Sequence, residues 1–237
     1  MKVKARVSKD GSSASCRQSG SDLDVESNAP SAPRVPSPAE RPIHLACFLI
    51  ALFLASCETP DTRHHVIISV PQQKMTVLDQ GVPIATYPVS TSKFGLGDRP
   101  GSRATPLGTL AVAKKIGGSA RSGMVFKDRR PTGEVLLPDA PGRDPIVTRI
   151  LWLRGREAQN ANAYGRYIYI HGTPEERNIG VPASYGCIRM RSSDVIQLYD
   201  IVGYGAQVTI VNAPLGAVLP RPQTARAEDA PKAPPGG

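Results

Sequence analysis

Cysteine is scarce where this 237-residue chain can fold. Four occur, Cys16, Cys47, Cys57 and Cys187, and the first three precede the region with strand-like patterning. A single remaining thiol cannot build a disulfide framework or a cysteine-based zinc cluster; no metal or other cofactor is expected. Histidine is equally sparse: His44, His64, His65 and His171 are the whole set. The net charge is +9, yet no run of Lys or Arg exceeds two residues. A basic chain is drawn to polyanions, but cations this scattered argue against a dedicated nucleic-acid surface. Long apolar runs are missing too. The one candidate, Leu45 to Ala55, falls well short of the ~20 residues that a membrane-spanning helix requires.

What is present divides the chain into four parts. Residues 1–40 are rich in Ser, Pro, Ala and charge, without a hydrophobic period, and read as disordered or as an extension foreign to the natural protein. Residues 41–57 place one basic residue, Arg41, before the apolar run and close it with small residues, the layout of a secretory signal. Its ending, Leu54-Ala55-Ser56-Cys57, resembles a bacterial lipobox, which makes Cys57 the expected lipidation site. An ordinary cleaved signal or a short anchor is the alternative. Met1 lies well upstream of where a signal would begin, so a translation start nearer Val35 is expected. The expected location is the cell envelope, lipid-anchored and facing the periplasm. Glu58, in place of an aspartate after the cysteine, favours the outer membrane.

Residues 64–212 carry the fold. Val66 to Val70 and Lys74 to Leu78 read as strands, and Asp79-Gln80-Gly81 turns the chain into a returning arm, Val82 to Pro88. Residues 91–108 are loop, dense in Gly, Pro, Ser and Thr. A strand from Thr109 to Lys114 is followed by a long surface excursion from Ser119 to Asp144. Val147 to Leu153, Tyr167 to His171 and Ala206 to Val211 read as further strands. Asp194 to Val202 is a short amphipathic helix, with Ser193 or Asp194 to cap it and Gly203 to end it. Residues 213–237 are a Pro/Ala-rich tail with too few large apolar groups to fold. The expectation is one mainly β, sandwich-like domain with one or two short helices, acting as a monomer.

The chemistry concentrates in residues 171–190. Cys187 follows Ser184-Tyr185-Gly186 and precedes the predicted helix closely, so it reads as a turn residue near a helix N-terminus, where positive potential favours thiolate. Gly186 permits positive φ, and its N–H beside that of Cys187 is suited to binding an oxyanion. On these grounds alone, a nucleophile and a structural cysteine are equally good readings. A nucleophile also needs a base. His171 ends an apolar strand, stands next to Gly172-Thr173 and precedes Cys187 by sixteen residues, which favours the nucleophile.

In these residues the chain resembles the L,D-transpeptidases with the YkuD-type catalytic domain. The family signature is a His-Gly pair, a gap of this order, then Ser/Thr-His-Gly-Cys, an apolar residue and often Arg-Met. Here it reads His171-Gly172-Thr173, then Ser184-Tyr185-Gly186-Cys187-Ile188-Arg189-Met190. The opening (Val66 to Val70, Gln73 to Val77, Gly81, Tyr87 to Thr91, Thr105 to Gly108) and the close (Ser193-Asp194, Leu198-Tyr199, Gly205, Val208) also resemble the family. The resemblance implies acyl transfer from a peptidoglycan tetrapeptide stem, with Cys187 as nucleophile, His171 as base and Gly186 and Cys187 as oxyanion donors. It assigns Arg189 to a substrate carboxylate, with a surface charge as the other reading, and Ser184, Tyr185, Gly172 and Thr173 to the substrate site. The acceptor is an amine, giving crosslinks or protein attached to the wall. Water as acceptor would make the chain an L,D-carboxypeptidase or wall hydrolase. One departure stands out: Tyr185 occupies the usual histidine position. It retains a hydroxyl donor but cannot be a cation at neutral pH. It is also the only support for a third reading, a non-catalytic peptidoglycan-binding lipoprotein.

Overall fold

The computed structural model describes residues 59–220; the expected extension, signal and Cys57 lie outside the described residues. β-Branched and other apolar residues buried on both faces build the first strands, Val66, Ile68, Met75 and Val77 on one side and Ile67 and Leu78 on the other. β1 (His64–Ser69) and β2 (Lys74–Asp79) pair antiparallel, and β2 returns as β3 (Val82–Pro88) through Gln80-Gly81. Both loop residues have positive φ, 50° and 85°, the backbone of a type I′ turn whose twist suits the flanking strands.

The chain continues through β4 (Gly108–Ile116), β5 (Met124–Lys127), β6 (Arg130–Val135), β7 (Ile146–Gly155), β8 (Tyr169–Gly172) and β9 (Ile188–Met190). Helix α1 (Ser192–Ile201), β10 (Gln207–Val211) and one helical turn, α2 (Leu215–Val218), complete it. All the strands share one sheet in the order β3-β2-β1-β10-β4-β7-β5-β6, and β8 and β9 branch from β7. The branch is possible because β7 is ten residues long, enough to pair with β4 and β5 as well as β8. Two pairings are parallel, β1 with β10 and β8 with β9.

The sheet closes on a main core, with two smaller buried clusters around Trp152 and Leu215. Val66, Ile68, Met75 and Val77 from its first strands meet Leu151, Leu153, Ile170 and Ile188, and Val195 and Leu198 of α1 seal the gap. The architecture is therefore mainly β and sandwich-like in its packing, although the hydrogen-bonded ladder is continuous. Among the described residues no helix is long and apolar enough to cross a membrane.

Four details differ from the sequence reading. The excursion at 119–144 contains the β5–β6 hairpin, whose second strand is exposed throughout and interrupted by Pro131 and Gly133. Such an edge strand has no apolar period to announce it. Cys187 is not at a helix terminus, because β9 intervenes before α1. The α1 N-terminus is capped by neither Ser193 nor Asp194; Glu176 Oε1, from a distant loop, accepts the Ser192 N–H at 2.8 Å. The fold also runs past residue 212, since Leu215 of α2 packs on Ile67 and Leu78.

Leu198 is fully buried under the sheet. Leu198→Ala is expected to lower the unfolding free energy by ~2–5 kcal/mol, from lost burial and the cavity left behind. Urea denaturation followed by circular dichroism measures it, and a loss below ~1 kcal/mol would contradict the packing described.

Candidate active site

Parallel pairing of β8 with β9 sets Ile170 opposite Ile188, His171 opposite Arg189 and Gly172 opposite Met190. Side chains alternate along each strand, so Ile170 and Ile188 enter the core while His171 and Arg189 share the other face. Cys187, one residue before β9, joins that face. The structure thus puts His171 on β8 and Cys187 at the entry to the neighbouring β9. Among the described residues Cys187 is the free cysteine, and it retains solvent access.

The turn holding Cys187 is stapled by Ser184. Its hydroxyl donates to the Cys187 carbonyl at 2.5 Å and accepts the Gly186 N–H at 3.2 Å. Thr105 Oγ1 donates to the Gly186 carbonyl at 3.1 Å. Gly186 has φ 122°, and a Cβ there would lie 3.3 Å from the Ala104 carbonyl oxygen. Only glycine adopts this backbone without strain. Ser184 therefore holds the loop, and the Gly186 N–H assigned to an oxyanion is engaged in this structure.

The thiol donates to the Tyr167 carbonyl at 3.3 Å. Tyr167 itself has φ 58°, an uncommon backbone for a bulky residue, and this turns its carbonyl toward the sulfur. Burial of the surroundings pushes the thiol up to about 11, against the Tyr169 backbone N–H and the Arg189 and Arg166 charges, which favour thiolate. His171 is 5% exposed. Burial drives its imidazole down to about 4; the Gly172 hydrogen bond opposes the shift and Arg189 adds to it. Nδ1 lies 2.8 Å from the Gly172 carbonyl. With Nδ1–H as donor, the only role a carbonyl permits, Nε2 is left as the proton acceptor. Gly172 is required by space, since a Cβ would sit 2.7 Å from the Val147 carbonyl oxygen, beside the β7 bulge where Thr148 has φ 71°.

Arg189 is no surface charge: it is 6% exposed. Its guanidinium pairs with Asp144, lies 3.7 Å from Glu175 and donates to the Ala183 carbonyl at 3.3 Å. Thr173 is buried, donates to Asp144 at 2.5 Å and accepts the Glu175 N–H at 3.0 Å. Arg189 and Thr173 therefore organise the loops around the site. Asp144 and Glu175 were not legible in the sequence, because carboxylates in irregular loops carry no pattern. Among the described residues no group of three or more His, Cys, Asp or Glu is placed to hold a metal ion.

An open cleft of about 630 Å³ runs beside the thiol loop, and Lys93, Asp144, Glu175, Tyr185 and Arg189 are among the residues lining it. Tyr185 is 53% exposed at its mouth, tilted against Phe94 at 5.4 Å between ring centroids. On another side Arg129, from the β5–β6 turn, lies 5.2 Å from the rings of both Trp152 and Tyr167. It also bonds the Tyr169 hydroxyl, whose ionisation burial suppresses. The entrance segment carrying Lys93, Phe94 and Arg103 is pinned by a buried ion pair, Arg166 Nη1 to Asp98 Oδ1 at 2.6 Å. Asn162 N–H donates to the other Asp98 oxygen at 2.6 Å, and Arg166 Nη2 donates to the Ala104 carbonyl at 2.7 Å.

The chain is similar to several known proteins. The probable L,D-transpeptidase ErfK/SrfK of Salmonella typhimurium is 27% identical over 163 residues, 66% of this chain and 47% of that protein. YkuD of Bacillus subtilis is 54% identical over 147 residues, 62% of this chain and 65% of that protein. Among solved structures, L,D-transpeptidase 3 from Mycobacterium tuberculosis is 19% identical, covering 63% of this chain and 61% of that one at a TM-score of 0.41. The chain spans about half the length of the first curated relatives it matches, 47% and 48% of two of them. The model of the L,D-transpeptidase catalytic domain, YkuD, matches residues 63–210, and with that match across most of the described fold the chain belongs to the L,D-transpeptidase family.

Proposed function

We propose that the chain is a peptidoglycan L,D-transpeptidase in which Cys187 carries the acyl group. The observation that supports this best is the β8–β9 register, which sets a solvent-accessible thiol and a buried imidazole on one face, while Tyr185 and Arg189, on either side of the cysteine in the chain, line an open cleft. The donor is a tetrapeptide stem, L-Ala-D-Glu-diaminoacid-D-Ala. Cys187 Sγ gives its proton to Nε2 of His171 and attacks the carbonyl of the third residue. The N–H groups of Cys187 and Gly186 stabilise the oxyanion, the latter by release from Ser184 Oγ. His171 passes its proton to the departing D-Ala, and an amine resolves the thioester, the two-step course of covalent catalysis. In the cell the enzyme is exported and held by a lipid on Cys57, on the outer membrane by preference.

Electrostatics decide the resting state of this pair. With the thiol at about 11 and the imidazole at about 4, moving the proton before substrate arrives is uphill by at most roughly 10 kcal/mol. Solvent access to the sulfur closes part of that gap. The resting site is thus neutral thiol and neutral imidazole, and thiolate forms as the carbonyl is attacked.

Mass spectrometry of disaccharide-tetrapeptide incubated with the enzyme is expected to show stem dimers that have lost one D-Ala, and none with Cys187→Ala. Tripeptide alone would assign water as the acceptor. Unchanged substrate, with Cys187 also inert to a carbapenem, would remove the catalytic reading.

Acidity supplies a second test. The unfolded chain protonates His171 near 6.5 and the folded one only near 4, so more protons bind on unfolding across that window. Its contribution to stability is complete above pH 6.5 and lost as pH falls through 4, by ~3 kcal/mol. Urea midpoints of wild type should fall over this range more steeply than those of His171→Phe. Alkylation of Cys187 by iodoacetamide should rise with pH through 9 without a plateau; a flat profile from pH 5 to 8 would reveal a preformed thiolate–imidazolium pair.

A further inference from the structure

The cleft that Tyr185 and Arg189 help to form, on either side of Cys187 in the chain, is lined by two cations, Lys93 and Arg189, and they differ in how far they are committed. Arg189 is buried and already faces Asp144 and Glu175. Lys93 is exposed and, among the described residues, enters no ion pair. Its ammonium instead lies 4.6 Å from the centroid of Tyr185 and 5.5 Å from that of Phe94. Nζ is also 3.3 Å from the Tyr185 hydroxyl. The backbone fixes this pairing, because the Lys93 N–H donates to the Ser184 carbonyl at 3.1 Å and so anchors it to the nucleophile loop. An ammonium held against two aromatic rings, beside a hydroxyl and with no anion, keeps most of its capacity to bind a carboxylate. Ring faces attract a cation but do not neutralise it.

We propose that Lys93 Nζ and Tyr185 OH together form the subsite for a free carboxylate of the acyl donor, the role that Arg189 cannot fill while its own acids hold it. This rests on the peptidoglycan stem reading and deepens it: the substrate class is a stem peptide with an unamidated carboxylate. Tyrosine at position 185 is then a working part of the site. Its ring supports the ammonium and its hydroxyl turns to donate a second hydrogen bond to the carboxylate, a charge-assisted arrangement. In a stem whose third residue is a monocarboxylic diaminoacid, two carboxylates carry this chemistry, the terminal one on D-Ala and the internal one on D-Glu.

The test has two arms, both on the full chain. In the first, alkylation of Cys187 by iodoacetate and by iodoacetamide is timed for wild type, Lys93→Gln and Lys93→Arg. The iodoacetate-to-iodoacetamide rate ratio should fall about fivefold in Lys93→Gln and recover in Lys93→Arg, with iodoacetamide itself changed less than twofold. This arm needs no turnover, so it stands whether or not the chain is a transpeptidase. An unchanged ratio overturns the subsite. In the second, donors amidated at D-Ala or at D-Glu are compared with the free acid. Lys93→Gln should raise KM for the free acid about tenfold with kcat within threefold, and Tyr185→Phe about threefold. Amidating the carboxylate that Lys93 reads should raise the wild-type KM equally and add nothing in Lys93→Gln, which identifies the source. Full additivity of both amides with Lys93→Gln overturns the proposal.

Discussion

The parallel register of β8 and β9 is the constraint on which the site depends. Side chains on a strand alternate between faces, so a slip of one residue would send His171 into the core and Ile170 to the thiol. That slip is forbidden by the apolar set. Ile170 and Ile188 are fully buried and in register with one another, and Met190 beyond them is buried too. The core thereby fixes the placement of two residues that contribute nothing to it. Gly172 extends the same logic, since the close approach of β8 to the Val147 carbonyl leaves no room for a side chain.

Burial gives this pair its character. The environment that holds His171 in place also makes its charged form costly, and the same holds for the Cys187 thiolate. A site with a preformed ion pair would be a stronger nucleophile at rest, and also one exposed to any electrophile. Here charge separation between the two is unfavourable at rest. Arg189 belongs to this balance: it favours thiolate and disfavours imidazolium, while Asp144 and Glu175 satisfy its own charge.

Much of this was legible in the sequence. The β-branched run at Val66 announced β1, alternation from Lys74 to Leu78 announced β2, the Asp79-Gln80-Gly81 turn announced the arm that returns as β3, and the His-Gly and Gly-Cys pairs drew attention to His171 and Cys187. What escaped has a common physical origin. β9 is three residues long, too short for a period, and exists because β8 offers it an edge. The β5–β6 hairpin is exposed and lacks an apolar face. The cap of α1 comes from Glu176, whose tie to Ser192 depends on the tertiary fold. The partners of Arg189 and Lys93 are likewise long-range, set by where loops return rather than by neighbours in the chain.

The buried bridge from Asp98 to Arg166 has a kinetic consequence. It lashes the entrance segment to the turn before β8, and parting a buried pair is expensive, ~3–5 kcal/mol. The entrance therefore behaves as a doorway with a fixed frame. Admission of a ligand is left to the outer side chains, Lys93, Phe94 and Tyr185, which reorient in picoseconds to nanoseconds instead of the microseconds to milliseconds of a swinging lid. Access to the surroundings of Cys187 then turns on these few side chains, with the frame behind them held in place.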